Sequence, residues 1–462
     1  METPFMACLP FAAMRDGMYH DANLATPAKA DPRPKSAVST GCGLAGLVGM
    51  ACWLIFARMK GLDGPYAALV NLVAGGVPMV FWALLVDKVH RNPSTGVKWE
   101  NPRPLKETLD ISITKIAGLW LTWGGIAAIY SVCRFYWEGN FAFAMWCFQM
   151  SAPALFILSV PYVLWIDRRL EKPKDGAWML GAWLLGSKDE PIDEAAIHNH
   201  LRSWAVKAFF LAFMLAIVPP GYSQFVRAST DGILNNPIAL ANWLITGMFM
   251  LDVAFATVGY ILTFRPLDSH IRTANPYAAG WAFALICYPP FILMGNGGPL
   301  DYHPGTSDWT HWLAGHDILL WIIGAVLVAL TAIYAWATMA FGFRFSNLTH
   351  RGIITHGPYS WTRHPAYLSK NLFWWISTCP LLVTTGSLYD AVRATVLLAA
   401  VSGVYYIRAK TEEKHLGADP AYREYSEWME RNAPVPRLVA WVTGWTFKPG
   451  YAGLKDLEQR AD

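Results

Sequence analysis

Ten apolar stretches follow one another between residues 39 and 407, and a chain patterned this way can bury them only against each other or in lipid. They fall near 39–57, 65–86, 113–133, 141–166, 204–222, 239–264, 277–294, 317–341, 367–386 and 388–407. A hydrocarbon core of about 30 Å needs roughly 20 helical residues at 1.5 Å rise each, which is the length of most of these windows. With 54% hydrophobic residues, 15% charged residues and 23 Trp, the composition departs from that of a soluble domain. The expectation is an all-α, polytopic integral membrane bundle of about ten transmembrane helices. Two windows carry internal breaks, Pro219-Pro220 and Pro289-Pro290. A spanning helix tolerates such breaks where neighbours satisfy the freed carbonyls.

Orientation follows from the basic residues. An even number of spans puts both termini on one side, and that side holds 29 of the 37 Lys and Arg. The opposite loops hold five: Arg58, Lys60, Arg134, Arg227 and Arg393. Both termini are therefore expected in the cytoplasm. The net charge of +4 is then a matter of topology, and no basic stripe interleaved with aromatics points to nucleic acid. The first residues, Met1 to Met18, lack the basic cluster of a cleavable signal peptide. The seven Cys (8, 42, 52, 133, 147, 287, 379) show no metal-ligand spacing and read as buried packing residues.

Four regions are expected. Residues 1–38 form a polar tail, poorly ordered, with Pro27, Pro32 and Pro34. Residues 39–341 form an N-terminal bundle of about eight helices. Residues 342–437 form a cofactor-binding region with two helices, and 438–462 a cytoplasmic tail. Between 167 and 202, the apolar run 176–186 is too short to span, and it reads as an interfacial segment with Trp178 and Trp183 at headgroup level.

Two motifs carry chemistry. Gly357-Pro358 stops any helix, and Pro365 biases His364 toward extended backbone, so Arg363 and His364 sit on stiff chain just before a span. A guanidinium there can hold a carboxylate, and a ring such as Tyr359 or Tyr367 can stack on a purine. Alternatively, the turn only anchors a helix at the interface. One hydrophobic hairpin later come Glu412 and Glu413, which two crossings return to the same face. Adjacent carboxylates can neutralise an ammonium or accept from ribose hydroxyls. They can equally pair on the surface with Arg408 and Lys410.

Taken together, Thr355-His-Gly-Pro-Tyr-Ser-Trp-Thr-Arg-His-Pro-Ala-Tyr-Leu, the hairpin, Thr411-Glu-Glu and Tyr422-Arg-Glu-Tyr resemble the isoprenylcysteine carboxyl methyltransferase and phospholipid methyltransferase family. The resemblance spans roughly 344–437. It implies S-adenosylmethionine bound at the cytoplasmic face, in or beside Gly357, Tyr359, Arg363, His364, Pro365, Tyr367, Glu412 and Glu413. Ser369 departs from the family's usual Gly after the Tyr. The expected activity is methyl transfer to a lipophilic acceptor entering from the bilayer, such as an isoprenylcysteine-like carboxyl or a phospholipid headgroup. If a general base is needed, His356 and His364 are the nearest candidates. Two alternatives stand beside this: an NADPH-dependent oxidoreductase similar to membrane sterol reductases, and a non-catalytic transporter or scaffold.

Asp252 lies near the middle of the sixth window, where a carboxyl costs about 2.5–3.5 kcal/mol on insertion scales. It is either a neutral hydrogen-bonding group or a substrate contact. The loop 295–316 holds Asp301, His303, Asp308, His311 and His316, but at spacings that match no zinc pattern, so no metal is expected.

Overall fold

A computed structural model describes residue 31 and residues 33–187, 191–444 and 449–451. The chain divides between Pro32 and Arg33, and the fold below belongs to the unit from Arg33 onward. About 70% of the described residues are helical, with almost no sheet among them. The helices are α1 (Thr40–Lys60), α2 (Pro65–Phe81, running on through a π-turn, Trp82–Val86), α3 (Leu105–Val132), α4 (Phe141–Asp167) and α5 (Gly176–Leu184). They continue with α6 (Glu194–Arg227), α7 (Pro237–Ile261), α8 (Ala278–Leu285), α9 (Trp309–Trp312) and α10 (Asp317–Ala340). The last four are α11 (Pro365–Thr378), α12 (Leu388–Leu416), α13 (Pro420–Asn432) and α14 (Pro434–Thr443). Among the described residues the one sheet is the antiparallel pair β1 (Thr273–Ala274) and β2 (Thr349–His350), with Thr273 opposite His350.

Local chemistry marks many of the helix starts. Ser39, Asp175, Asp193, Asn236, Ser387 and Asp419 each accept a hydrogen bond from a first-turn N–H. Pro237, Pro365 and Pro420 occupy the first turn, where the missing N–H costs nothing. α7 is the most buried of the long helices and packs between α6 and α10, while α10 also carries α11. Among the described residues, eight helices are long and apolar enough to cross a membrane: α1 to α4, α6, α7, α10 and α12.

Two of the ten expected long spans are therefore corrected. In 277–294 helix forms only over α8, because Pro289 and Pro290 bar its continuation. In 367–386 the helix starts two residues earlier and ends at Thr378, where Cys379 turns to φ +44° ahead of Pro380.

The segment 275–305 nevertheless runs the length of α12, and α11 packs beside it, Trp375 Nε1 donating to Ser402 Oγ at 3.0 Å. The Asn275 amide donates to Thr411 O at 3.5 Å, Lys414 lies over the Tyr277 ring, and Tyr302 packs with Leu398, Val401 and Tyr405. Farther along, Arg393 donates to Asp301 O at 3.1 Å, and Thr384 N donates to Gly305 O at 2.9 Å. From residue 411 back to 390, α12 rises roughly 32 Å, about the thickness of a hydrocarbon core.

Other expectations shift locally. Most of the 1–38 tail lies outside the described residues, but 33–38 is laid down as a strap. Ala37 N donates to Ile353 O at 2.9 Å and Thr355 Oγ1 donates to Pro34 O at 3.2 Å. The boundary at 437/438 falls inside α14, and most of the tail beyond Gly444 lies outside the described residues. The run 176–186 forms α5, of which Trp183 is exposed while Trp178 is buried. A Cβ on Gly181 would stand 1.9 Å from Thr114 O, so α5 packs backbone to backbone on α3 and only glycine fits there. Cys52 and Cys133 lie on the surface rather than inside.

Candidate functional site

The site is assembled on a buried arginine. Arg351 donates to five carbonyls: Ser269, Gly259, Leu262, Phe345 and Phe343, at 2.7–3.0 Å. Two of these belong to the last turn of α7 and its cap, whose carbonyls have no partner within the helix. One side chain thus stitches the end of α7 to the loop after α10. Burial lowers the Arg351 guanidinium to about 9, so it stays charged at neutral pH. Beside it, Arg344 donates to Arg351 O and pairs with Asp268 at 3.0 Å, both side chains almost fully enclosed.

The next stretch turns back toward α11. Gly357 adopts φ +59° with its Cα against Trp336, where a Cβ would come within 3.1 Å of the indole nitrogen. Glycine is required there by both conformation and space. The following 3-10 turn, 357–360, is held by Tyr425, whose hydroxyl donates to Tyr359 O at 3.0 Å. Burial raises the phenols of Tyr359 and Tyr422 well above their usual range, so both are neutral. Pro365 then starts α11 and leaves His364 just outside it.

The two glutamates diverge. Glu413 is 1% exposed and fully engaged. One carboxylate oxygen faces His364 Nε2 at 3.1 Å and Arg363 Nε at 3.4 Å. The other meets Lys410 Nζ at 3.0 Å and Gly450 N at 2.7 Å. Glu412 instead faces a cavity, where it accepts from the Tyr367 hydroxyl. Arg363 is equally committed: beyond Glu413, it reaches Ser426 Oγ at 2.6 Å and Glu430 at 2.8 Å.

The cavity, about 180 Å³, is walled by the loop 344–354, the end of α10, α11, α12 and α13. Of the residues expected at a cofactor, Tyr359, Arg363, His364, Tyr367 and Glu412 line it; Gly357, Pro365 and Glu413 shape it from behind. His364 lines the wall, whereas His356 is bonded to Ser36 at 2.8 Å and lies off it. Ser369 is buried, its hydroxyl returned to Ala366 O at 3.3 Å, so the packing accommodates it. Asp252 stands one layer behind. Its carboxylate accepts from Thr338 and bonds Tyr334, and both of those residues do line the cavity.

Several wall residues were not expected. Arg408 appeared only as a surface partner of Glu412, yet it is 3% exposed and lies among the rings of Tyr288, Tyr367 and Tyr405 at 5.2–5.8 Å. Lys370 lies over Tyr334, Trp374 and Tyr405 at 5.1–5.6 Å. A signal for Arg408 exists in the sequence. Tyr405, Arg408, Glu412 and His415 follow a three-four-three spacing that puts them on one helix face. Arg344 and Arg351 had no such signal, since they sit in a loop without period.

In the loop 295–316, Asp301 accepts from Gly297 N at 2.8 Å and bonds His303 at 2.9 Å, and Asp308 caps α9. No metal-holding group of three His, Cys, Asp or Glu occurs among the described residues.

Residues 299–429 match a protein family described as "Protein of unknown function (DUF1295)". That family is associated with steroid 5-alpha-reductase-like and methyltransferase-like membrane proteins. The match takes in α9 to α12 and most of α13, including much of the cavity wall. No curated protein and no solved structure matches the chain.

Proposed function

We propose that this chain is an integral membrane methyltransferase that takes S-adenosylmethionine from the cytoplasmic side and a lipophilic acceptor from the bilayer. One observation carries the reading. The last hairpin returns Glu412 to Tyr367, and Glu413 to Arg363 and His364, so both motifs meet at one cavity.

The donor set fits the cofactor. The Glu412 carboxylate suits an ammonium or ribose hydroxyls, and the faces of Tyr359 and Tyr422 suit a purine. The buried Arg344 Nε, without a hydrogen-bond partner among the described residues, suits a carboxylate. Bound there, the cofactor would supply a methyl group on a sulfonium. The chain's task is to hold the partners in line and keep water out. Arg363, with each guanidinium nitrogen engaged, is a positioning residue in this reading, and Glu413 fixes it. His364 Nε2 is turned to Glu413, so a role as base would fall to its other ring nitrogen, Nδ1, with the carboxylate fixing the tautomer.

The topology that accompanies this reading has ten crossings, eight by long helices and two by the interrupted segments beside α12. Irregular backbone at membrane depth is tolerated where protein or a cavity covers it. Here α12 and the cavity do so, and the 29-to-5 basic split puts both termini in the cytoplasm.

A second reading, an NADPH-dependent reductase, is favoured by the Asp252–Tyr334 pair, since a phenol bonded to a carboxyl beside a cavity can deliver a proton. Equilibrium binding of labelled S-adenosylmethionine and of NADPH to the detergent-purified protein separates the two. Micromolar binding of the first and none of the second is expected, and the reverse would overturn the proposal. Incubation of membranes with methyl-labelled cofactor, followed by lipid extraction, would then identify the product by mass.

A further inference from the structure

Helices α13 and α14 follow each other across Ala433 and treat their apolar sides in opposite ways. α13 turns Tyr422, Tyr425, Ser426 and Met429 inward and leaves Glu424, Arg431 and Asn432 exposed. α14 does the reverse. None of its residues is buried among the described residues, and Leu438, Trp441 and Val442 are 58, 83 and 64% exposed. Together with Pro434 they follow a four-three-one spacing, which gathers them within about 100° on one side of the helix. Thr443 stands on the far side. A helix in contact with water ordinarily buries such a stripe, so something covers it.

The position of α14 says what that is. Val435 N donates to Trp361 O at 3.2 Å, which ties the first turn of α14 to the turn before α11. The Trp361 ring stands edge-on to Trp336 at 5.4 Å. Trp336 lies one turn before the end of α10, one of the eight helices long and apolar enough to span a membrane. Both indoles are partly exposed, at 36 and 37%. Exposed tryptophans at the end of a spanning helix mark the membrane–water boundary. α14 therefore starts at that boundary, and the spanning helices hold a bilayer beside it. Contact with that bilayer is in effect intramolecular and needs no separate association step.

We propose that α14 is an interfacial helix, lying in the plane of the membrane with Leu438, Trp441 and Val442 in the boundary between lipid headgroups and acyl chains. Such a helix sinks its apolar face about 5–10 Å into that boundary. Arg437 is exposed at the edge of the stripe, where its guanidinium can stay at headgroup level. The occupant is the lipid of the membrane that the chain already spans. α13 carries Ser426 and Glu430, the partners of Arg363, so the anchor fixes the height of that cavity wall relative to the lipid. The inference depends neither on methyl transfer nor on which side is cytoplasmic.

The test uses the full chain in phosphatidylcholine nanodiscs, carrying Leu438→Cys, Val442→Cys or Thr443→Cys labelled with nitrobenzoxadiazole, with the labelled wild type subtracted as background. Lipids bearing a nitroxide near the headgroup should quench the labels at Leu438 and Val442 at least threefold more than the label at Thr443. A nitroxide near the chain end should quench them less than the shallow one. Adding Leu438→Gln and Trp441→Gln to the Val442→Cys chain should cut its quenching at least twofold. Leu438→Met with Trp441→Phe, which keeps the face apolar, should retain it, so a misfolded polar variant leaves the comparison standing. Quenching at Leu438 and Val442 no greater than at Thr443 overturns the proposal. So does blue-shifted emission without lipid quenching, the result expected if a second copy or another segment of the chain covers the face. Strongest quenching by the chain-end nitroxide would put α14 in the hydrocarbon and overturn the interfacial placement as well.

Discussion

Neighbouring glutamates on one helix have different surroundings here, and their substitutions should differ accordingly. Glu413 is a buried hub for Arg363, His364, Lys410 and Gly450 N, so Glu413→Ala strands several buried donors at once. Breaking a buried pair by removing one partner costs about 3–5 kcal/mol. We expect Glu413→Ala to lower thermal stability and, by loosening Arg363, to weaken S-adenosylmethionine binding at least tenfold, or about 1.4 kcal/mol. Glu412→Gln, facing the cavity, should weaken the cofactor similarly with little loss of stability. Identical melting curves for the two variants would contradict this division. Asp252, a layer behind the wall, should act differently again. Asp252→Asn should alter turnover or acceptor choice while cofactor affinity shifts by less than about threefold, roughly 0.65 kcal/mol. Lost cofactor binding in a folded variant would place Asp252 in the cofactor site instead. Much of this was legible at residue level, because Arg-His-Pro and Glu-Glu are rigidly spaced by the turn and the hairpin. What could not be read was which glutamate faces the cavity, since consecutive residues on a helix point about 100° apart and only the neighbours decide which side is inside.

Among the elements, the loop between α10 and α11, with only the two-residue β2 and short 3-10 turns for regular structure, is held largely by charge. Arg344 and Asp268 pair across it, with Asn92 and Ser94 donating to the same carboxylate at 3.0 and 2.8 Å. Burial raises the Asp268 carboxyl, but the Arg344 charge and these hydrogen bonds outweigh it and hold it below the usual range. The folded value thus lies under the unfolded one, near about 3.9. Its contribution is complete above that value and is lost as pH falls through the folded one. Asp268→Asn should lower the melting temperature at neutral pH, and the gap to wild type should narrow below about pH 4. A gap constant across that window would mean the ion pair does not hold the loop. The interrupted crossings belong to this scale too. The apolar pattern of 277–294 and 367–386 reports where the chain is hydrophobic, not whether it is helical. Pro289, Pro290 and Pro380 remove donors that a continuing helix needs, and α12 covers the irregular backbone that results.

For the whole molecule, the reading requires the site and both termini on one side and the loop 295–316 on the other. Single cysteines at Ser360 and Ala418 should be labelled only from the cytoplasm, and one at Ser307 only from outside. Labelling of positions 307 and 418 from the same side would mean that the segment 365–387 does not cross, and labelling of position 307 from the cytoplasm would mean that 275–306 does not. The sequence by itself determined a helical membrane protein, the bias of basic residues to one side, and the two motifs that a hydrophobic hairpin returns to one face. These follow from period, length and composition, which are local or additive properties of the chain. Only the tertiary structure decided that Arg351 ties α7 to the site loop, that Arg363 is already committed to Glu413, Glu430 and Ser426, and that Arg408 is buried in the cavity wall. A charged side chain pairs with whatever the packing brings within a few ångströms, and that neighbourhood comes from residues tens to hundreds of positions away.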